Sequence, residues 1–159
     1  MKIGVISDTH IPTKTKKIPD KVFDIFQGVD LIIHAGDIVQ QEVLDQLSDY
    51  APVKAVTGNI DPYPFRETLP DKLILEVAGY EIAVIHGHNV RGHIMNTLSF
   101  IFPDADIIIF GHTHRPCNQM INGQLHFNPG SPTDRRMQKK HSVGIIKLGE
   151  EIESEIIEF

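Results

Sequence analysis

The chain has no tryptophan and only one cysteine, Cys117, among its 159 residues. A single cysteine cannot form an internal disulfide, which fits a protein kept in a reducing compartment. Hydrophobic runs are also short, extending over about five residues, whereas a membrane-spanning helix needs about 20. Asp8 interrupts the apolar N-terminal stretch before it reaches the length of a signal-peptide core. We therefore expect a cytoplasmic protein that does not enter a membrane.

Positive charge is scarce as well, because 15 lysines and arginines stand against 21 aspartates and glutamates, for a net charge of −6. The chain thus lacks a general electrostatic attraction to nucleic acid, and we expect no extended nucleic-acid surface. An apolar share of 41% and a charged share of 23% are those of a globular protein. The length predicts one domain over residues 1–159. What the chain has in excess is histidine, with nine residues.

Strands and helices alternate in the first third of the chain. Short β-branched runs predict buried strands over residues 2–7, 31–35 and 53–57. Between them, residues 20–26 follow a proline in a good context for a helix start, and residues 41–47 place apolar side chains on one helical face. This order is typical of a parallel sheet with helical crossovers.

The second half of the chain predicts a further sheet. A three-residue turn separates two apolar runs, which favours an antiparallel hairpin, and the Asn122-Gly123 turn suggests that the C-terminal third is another meander. We therefore expect two mixed sheets with helices outside them, an α/β sandwich. The predicted elements are strands over 73–77, 81–86, 106–110, 120–121, 124–127, 142–148 and 152–157, and a helix over 93–102.

Aspartate, asparagine or histidine follows five of these strands at the point where each strand ends. In α/β sheets, ligands bind outside the carboxyl ends of the strands, so these side chains can converge on one site. Residues i and i+2 of an extended chain point the same way, which would let each D-x-H or H-x-H pair present two donors together. The residues concerned are Asp8 and His10, Asp37, Asn59 and Asp61, His86 and His88, and His112 and His114.

One histidine at a strand end is more often a surface or hydrogen-bonded residue than a metal ligand. Five such segments at strand exits are harder to explain in that way, because buried carboxylates and imidazoles need partners that offset their desolvation. A bound metal ion supplies such a partner. The pattern therefore favours a metal site at one edge of the sheets.

The motifs DTH, GD, GN, H and GHTH, in this order and near these spacings, resemble those of the calcineurin-like metallophosphoesterases. The resemblance covers residues 3–131, and NPGSP at residues 128–132 is similar to the small bacterial and archaeal phosphodiesterase branch of that family. It implies a four-layer αββα sandwich with two metal ions at one edge. The retromer subunit that shares this fold is also a relative.

Residue by residue, the resemblance implies a ligand set for two divalent metal ions. Nitrogen and oxygen donors without thiolate suit manganese, iron, nickel or zinc better than calcium, and manganese is our first expectation. Asp37 would bridge the two ions. The first ion would be held by Asp8, His10 and His114, and the second by Asn59, His86 and His112.

The charges of this ligand set favour hydrolysis of a small phosphodiester. Two divalent ions carry four positive charges and Asp8 with Asp37 cancels two, which leaves a balance that matches a phosphodiester anion and a bridging hydroxide. Paired ions lower the pKa of a shared water and stabilise an in-line displacement. We therefore expect a dinuclear metal-dependent phosphodiesterase in which that hydroxide attacks directly, with no covalent enzyme intermediate.

The sequence departs from the family pattern at Ile60, where the commoner version has a histidine thought to protonate the leaving group. Isoleucine cannot donate a proton, so that aryl esters and other good leaving groups should be favoured. His88 is the replacement donor that we would test, since its spacing from His86 lets it face the metals. We expect Asp61 to orient Asn59 or another group behind the ligands.

Other functions and other roles stay open. A non-catalytic scaffold on the same fold, resembling the retromer subunit, is the main alternative, because a fold does not settle a function. His34 lies within a strand and is expected to pack or to bond behind the ligands, and Asn128 or Ser131 could hold a ligand loop. The apolar residues 100–102 fit either a homo-oligomer interface or core packing.

Overall fold

A computed structural model describes residues 1–159, with ten strands and four helices. The strands form two five-stranded sheets, with the orders β10-β9-β1-β2-β3 and β4-β5-β6-β8-β7. The strands are β1 (Lys2–Ile6), β2 (Leu31–His34), β3 (Val53–Ala55), β4 (Lys72–Val77), β5 (Tyr80–Ile85), β6 (Ile107–Phe110), β7 (Cys117–Ile121), β8 (Gln124–Asn128), β9 (Ser142–Leu148) and β10 (Ile152–Glu158). The helices are α1 (Asp20–Ile25), α2 (Gln41–Ser48), α3 (Tyr63–Thr68) and α4 (Ile94–Ile101).

The two sheets pack face to face through a buried apolar layer. Alternate residues of β1 and β6, such as Val5 and Ile109, belong to this layer and are fully buried. Their neighbours Ile6 and Ile108 point to the opposite faces of the sheets, which are also covered. Because both faces are buried, these strands read as continuous hydrophobic runs rather than as alternating ones.

Helices cover the outer faces and complete four layers. Val22 of α1 and Leu47 of α2 pack on the first sheet together with Ile32, and Leu98 of α4 packs on the second sheet against Ile108. The αββα sandwich predicted from the sequence is therefore confirmed. None of these helices has the length and apolarity needed to cross a membrane.

Both sheets are mixed, and their parallel strands position the polar turns. In the first sheet β1, β2 and β3 run parallel, and β9 and β10 are added antiparallel. In the second sheet β5, β6 and β8 are parallel, with β4 and β7 antiparallel at the edges. The five strands that precede the predicted ligands, β1, β2, β3, β5 and β6, are thus all members of parallel sets.

The predicted C-terminal meander is wrong, because its strands divide between the sheets. The turn at Asn122 and Gly123 does join β7 to β8 as a hairpin, but β9 pairs with β1 in the other sheet. The segment between β8 and β9, residues 129–141, is long enough to cross between the layers, whereas a direct hairpin would need a short turn. Gly144 of β9 allows this layer to approach closely, since any side chain there would overlap the ring of Phe127.

The structure also contains a short helix that the sequence did not predict, α3 (Tyr63–Thr68). Prolines at 62 and 64 start it, in keeping with the preference of proline for the first helical turn. Only Phe65 of this helix is buried, so the helix lacks the repeated apolar positions from which a helix is predicted. In α4 and just after it, Phe102 is a core residue, whereas Phe100 is 86% exposed.

Candidate metal centre

Five of the seven predicted ligands converge where the two sheets present the carboxyl ends of their parallel strands. They form two overlapping groups whose donor atoms lie within 4.8 Å of one another. Each of these five side chains is buried. The groups are Asp8 with His10 and His114, and Asp8 with Asp37 and His86.

The two carboxylates lie between the histidines. Asp8 Oδ1 is 3.1 Å from His114 Nε2 and 4.0 Å from His86 Nε2. Asp37 Oδ2 is 3.3 Å from His86 Nε2 and 3.6 Å from His10 Nε2. Both carboxylates therefore face histidines of both groups, which is the arrangement that two neighbouring cations can share.

The backbone is left-handed rather than extended at four of the clustered donors and at His112. The φ angles are 56° at Asp8, 48° at His10, 58° at Asp37, 63° at His112 and 56° at His114. The expectation that residues i and i+2 point the same way because the chain is extended is therefore wrong. Each of these five donors instead stands on a tight turn beyond its strand, in a conformation that aspartate and histidine adopt more readily than most residues and that costs about 1–3 kcal/mol.

Backbone carbonyls set the orientation of two of the imidazoles. His86 Nδ1 is 2.7 Å from the oxygen of Ala35, and His114 Nδ1 is 2.6 Å from the oxygen of Asp134. A carbonyl oxygen only accepts hydrogen bonds, so each Nδ1 carries the proton and each Nε2 presents its lone pair to the carboxylates. This is the arrangement by which proteins orient histidine ligands.

The contacts among these side chains favour a bound divalent cation over hydrogen bonds between the side chains themselves. His10 Nε2 and His114 Nε2 are 3.1 Å apart, although the His114 nitrogen is an acceptor, so a proton or a cation has to lie near this pair. Asp8 Oδ1 and His86 Nε2 are buried and have no hydrogen-bond partner. Unpaired buried polar atoms are costly, and a divalent ion bound by nitrogen and oxygen would satisfy them.

The same proximity shifts the pKa values of these groups. Burial alone would raise the pKa of Asp8, but the neighbouring imidazoles of His10, His114 and His86 together hold it far below its usual range. For Asp37 burial is likewise outweighed by His86, which lowers the pKa of the carboxyl. Burial opposes protonation of His86, yet Asp37 and Asp8 raise its pKa. Both carboxylates are thus ionised and available as ligands at neutral pH.

Two glycines let the turns approach each other closely. A methyl group on Gly58 would overlap the carboxylate of Asp37, and one on Gly111 would overlap Ser7 Oγ and approach Asp8 Oδ2 to 2.8 Å. Neither glycine has a positive φ, so each is required for the space it leaves free. Gly58 and Gly111 therefore flank the ligands at points where two backbone turns come close together.

Asp61 fastens two of the ligand turns together. Its buried carboxylate accepts four backbone N–H bonds, from Asp37 at 3.1 Å, Ile38 at 2.7 Å, Val39 at 2.8 Å and Gly58 at 2.7 Å. The sequence predicts that Asp61 orients Asn59 or another group behind the ligands, and in the structure the group that it orients is the Asp37 turn. Its position beside that turn depends on the loop after β3, which the sequence does not specify.

His34 supports the site from behind, as expected. It is fully buried, its Nδ1 accepts the N–H of Gly36 at 3.2 Å, and its Nε2 lies 3.2 Å from Thr9 Oγ1. Thr9 Oγ1 in turn donates to the carbonyl oxygens of Asp37 and Ile38. Burial, above all, lowers the pKa of His34 from 6.5 to about 3, so it is neutral at physiological pH.

The segment that begins with NPGSP holds the first and last ligand turns together. Asn128 Nδ2 donates to the oxygen of Gly111 at 2.8 Å, and Ser131 Oγ donates to the oxygen of Asp8 at 2.8 Å. Thr133 Oγ1 donates to the oxygen of Thr9 at 2.6 Å. The sequence suggested such a role for Asn128 and Ser131 but missed Thr133 and also Asp134, the residue that orients His114.

The remaining predicted residues lie at the rim of the centre. The ring of His112 is 5.3 Å from that of His86, and its Nδ1 has no hydrogen-bond partner. The ring of His88 is 5.5 Å from that of His86 and 6.3 Å from that of His112. Asn59 is exposed, and its carbonyl accepts a bond from Arg66 Nη2 at 3.0 Å. The structure therefore does not bring Asn59 and His112 into either group of clustered donors.

Two cavities differ in their relation to this centre. The larger, of about 690 Å³, lies around Met1, Lys2 and Leu148, at the opposite end of β1 from Asp8. The other, of about 440 Å³, is lined by Asn59 and His88 together with four further polar or small residues. The smaller cavity adjoins the centre, because Asn59 and His88 lie at the rim of the clustered donors, whereas no predicted site residue lines the larger one.

Comparisons with known proteins agree with this geometry. A family model described as "Calcineurin-like phosphoesterase superfamily domain" matches residues 1–151. The chain is 39% identical to a probable metallophosphoesterase of Methanothermobacter thermautotrophicus, over 99% of this chain and 92% of that protein. It is 28% identical to a phosphodiesterase of Methanocaldococcus jannaschii, over 82% of this chain and 83% of that protein.

A solved structure shares the same fold. The Vps29 protein of Entamoeba histolytica, crystallised with zinc, superposes with a TM-score of 0.82 over 99% of either chain. The two sequences are 22% identical, so the likeness concerns the fold alone.

Proposed function

The chain belongs to the calcineurin-like phosphoesterase superfamily, and from this premise we propose that it is a phosphodiesterase with two divalent metal ions. The observation that carries the proposal is the pair of overlapping donor groups that share Asp8. A site for one ion would need only one of these groups. The phosphodiesterase named among its relatives supports the preference for diesters over monoesters.

Seven residues would hold the ions in this proposal. Asp37 is suited to a shared position because its Oδ2 lies between His10 and His86. His112 would complete the set through Nδ1, which is buried and unpaired, and Asn59 from the rim. The first ion would be held by Asp8, His10, Asp37 and His114, and the second by Asp37, Asn59, His86 and His112. Manganese is our first choice for both, and nickel, iron and zinc fit the same donors.

When bound, two such ions supply Lewis acidity at the phosphoryl oxygens and a water of lowered pKa at neutral pH. The residues of the chain prepare the site for them. Ala35 and Asp134 orient the imidazoles of His86 and His114, and Asp61 fixes the turn that carries Asp37. The neighbouring histidines keep both carboxylates ionised, and burial keeps them away from bulk water. No side-chain nucleophile is required, and a trapped phosphoenzyme would refute this mechanism.

His88 remains our proposal for the proton donor to the leaving group. Ile60 occupies the position next to Asn59 and cannot serve. Burial lowers the pKa of His88, the charge of His86 lowers it further, and Asp37 and Asp71 raise it. A neutral imidazole is a weak acid, so we infer that the phosphate anion of the substrate has to raise this pKa again before His88 can donate.

The test is metal-dependent hydrolysis of bis(p-nitrophenyl) phosphate. The protein is stripped with a chelator, reloaded with manganese or a rival metal, and its metal content is measured beside its activity. We expect two ions per chain, and in Asp37→Ala and His112→Ala fewer ions with activity lowered by at least about a hundredfold. His141→Ala removes a histidine that belongs to neither donor group and serves as the control. A fully active protein with one ion per chain would contradict the dinuclear proposal.

The scaffold alternative rests on the likeness to Vps29, which shows the fold only. A scaffold has no need of buried donors that lack hydrogen-bond partners, and this chain keeps them. Absence of any metal-dependent hydrolysis by a metal-loaded protein, at every pH between 5 and 9, would favour the scaffold.

A further inference from the structure

We propose that the cavity beside α3 binds the arm of the substrate beyond the scissile phosphate, and that this arm carries hydroxyl groups, as a polyol or sugar does. The inference rests on the proposed phosphodiesterase function and extends it to substrate class. The cavity has a volume of about 440 Å³ and no hydrophobic residue in its wall. It is lined by Gly58, Asn59, Arg66, Asp71, His88 and Asn89.

The cavity adjoins the metal centre on two sides. His88 forms one border, and its ring lies 5.5 Å from that of His86. The turn of Gly58 and Asn59 forms the other, where the N–H of Ile60 donates to Asp37 Oδ1 at 3.1 Å. A phosphate held at the metal centre would therefore have one ester arm directed into this space.

Arg66 brings the only full positive charge to the wall of the cavity. One guanidinium nitrogen donates to the carbonyl of Asn59 at 3.0 Å, and the other donors of the guanidinium make no hydrogen bond within the chain. An arginine presents its donors in a planar fork that suits the non-bridging oxygens of a phosphate. Because the bond to Asn59 holds the guanidinium beside the proposed ligand turn, we assign Arg66 as a binding residue for the phosphoryl group.

The remaining wall accepts and donates hydrogen bonds without apolar contacts. Asp71 uses Oδ1 to accept from Thr57 Oγ1 at 2.9 Å, which leaves Oδ2 available to accept a hydroxyl proton from a ligand. The amides of Asn59 and Asn89 offer both donors and acceptors. Ligand pockets are usually lined mainly by apolar and aromatic side chains, so a wall of this kind favours a hydroxylated arm over an aromatic one.

A third cavity has a more apolar wall. It has a volume of about 280 Å³ and lies on the α4 side of the GHTH turn, with four hydrophobic residues in its wall, among them Ile94 and Met95. An aryl arm would find apolar contacts there and none in the α3 cavity. The assignment of a hydroxylated arm therefore belongs to the α3 cavity alone.

The experiment compares two probes that share a phosphate and differ in the arm, glycerol 1-phosphate and methyl phosphate, by calorimetric titration into the manganese-loaded protein. We expect the glycerol ester to bind at least about fivefold more tightly, because its hydroxyls add hydrogen bonds. Asp71→Ala should abolish that preference, and Arg66→Gln should weaken both probes by about tenfold. Equal affinities of the two probes, or unchanged binding in Arg66→Gln, would overturn the proposal.

Matched variants separate binding from structural support. Thr57→Val removes the same hydrogen bond as Asp71→Ala but leaves the carboxylate in the cavity, so the preference should survive. Arg135→Gln removes an exposed guanidinium that also donates to a loop carbonyl, that of Lys139, and should change neither affinity. If Thr57→Val loses the preference to the same extent as Asp71→Ala, Asp71 acts through structure and the subsite assignment fails.

A second readout distinguishes failure of the subsite from failure of the phosphodiesterase. The p-nitrophenyl diesters of glycerol phosphate and methyl phosphate release the same chromophore, and their kcat/KM values are compared. Hydrolysis of both at equal kcat/KM, with no difference in binding, would refute the subsite and leave the phosphodiesterase standing. Hydrolysis of neither, together with the predicted pattern of affinities, would support the subsite and refute the phosphodiesterase.

Discussion

Acid should destabilise the metal-free protein through His34, a residue outside both donor groups. The neutral ring has both nitrogens engaged: Nδ1 accepts the N–H of Gly36, so that the proton is on Nε2, which faces Thr9 Oγ1. A second proton, on Nδ1, would make that nitrogen a donor facing the N–H donor of Gly36. The side chain has no exposed surface, so water could not accept the new proton's hydrogen bond. Burial is the main cause of a pKa lowered to about 3, and the charge of His86 lowers it further, whereas Asp8 raises it.

The sign and size of the effect follow from the two pKa values. Between about 3 and 6.5 the unfolded chain binds a proton at His34 and the folded protein does not, so stability is complete above pH 6.5 and is lost as the pH falls below it. Each pH unit in this window costs about 1.4 kcal/mol. From pH 7.5 to pH 5.0 the loss is therefore about 2 kcal/mol from this one residue, independent of the folded pKa as long as it lies well below 5.

The assay is urea unfolding of the chelator-treated protein at a series of pH values. Other histidines also titrate, so the informative quantity is the difference between wild type and His34→Gln, whose side chain keeps a donor for Thr9 but does not ionise. We expect the variant to lose about 2 kcal/mol less than wild type between pH 7.5 and 5.0. His93→Gln, which changes an exposed histidine, should behave as wild type. Equal losses in wild type and His34→Gln would refute the reasoning.

Three further predictions concern the turns around the metal centre. In Gly58→Ala the new methyl group overlaps the Asp37 carboxylate, so manganese affinity measured by calorimetry should fall by about tenfold or more. Gly149→Ala, whose methyl group would meet only the oxygen of Glu151 at 3.9 Å, should bind normally, and equal affinities in the two variants would contradict the steric argument. Asp61→Asn places an amide where four N–H groups converge, and we expect a loss of about 3 kcal/mol or more in the free energy of unfolding; a loss below 1 kcal/mol would show that these bonds contribute little. His88→Ala should slow an alkyl diester much more than an aryl diester, since only the poor leaving group needs a proton, and equal rate losses would exclude His88 as the donor.

Much of the candidate site could be predicted because its residues lie in short sequence motifs. Each donor follows a hydrophobic strand, and the residue types that bind metal stand out against that background. The role of Asp61 was predicted only in outline, since an acidic residue two positions after Asn59 does not reveal which N–H groups it accepts. Arg66 was missed altogether, because α3 has a single buried residue and thus no apolar periodicity.

The sequence by itself determined most of the elements and the family, because apolar periodicity and motif order are local properties of the chain, and it named the candidate donors. Only the tertiary structure decided that β9 joins the sheet of β1, and that Asp8 lies 3.1 Å from His114 across more than a hundred residues of chain. It also decided that five of the predicted ligands have left-handed backbone and that Arg66 and Asp71 share a cavity with His88. Such distances depend on how two sheets pack through their buried layer, and no local pattern encodes that separation.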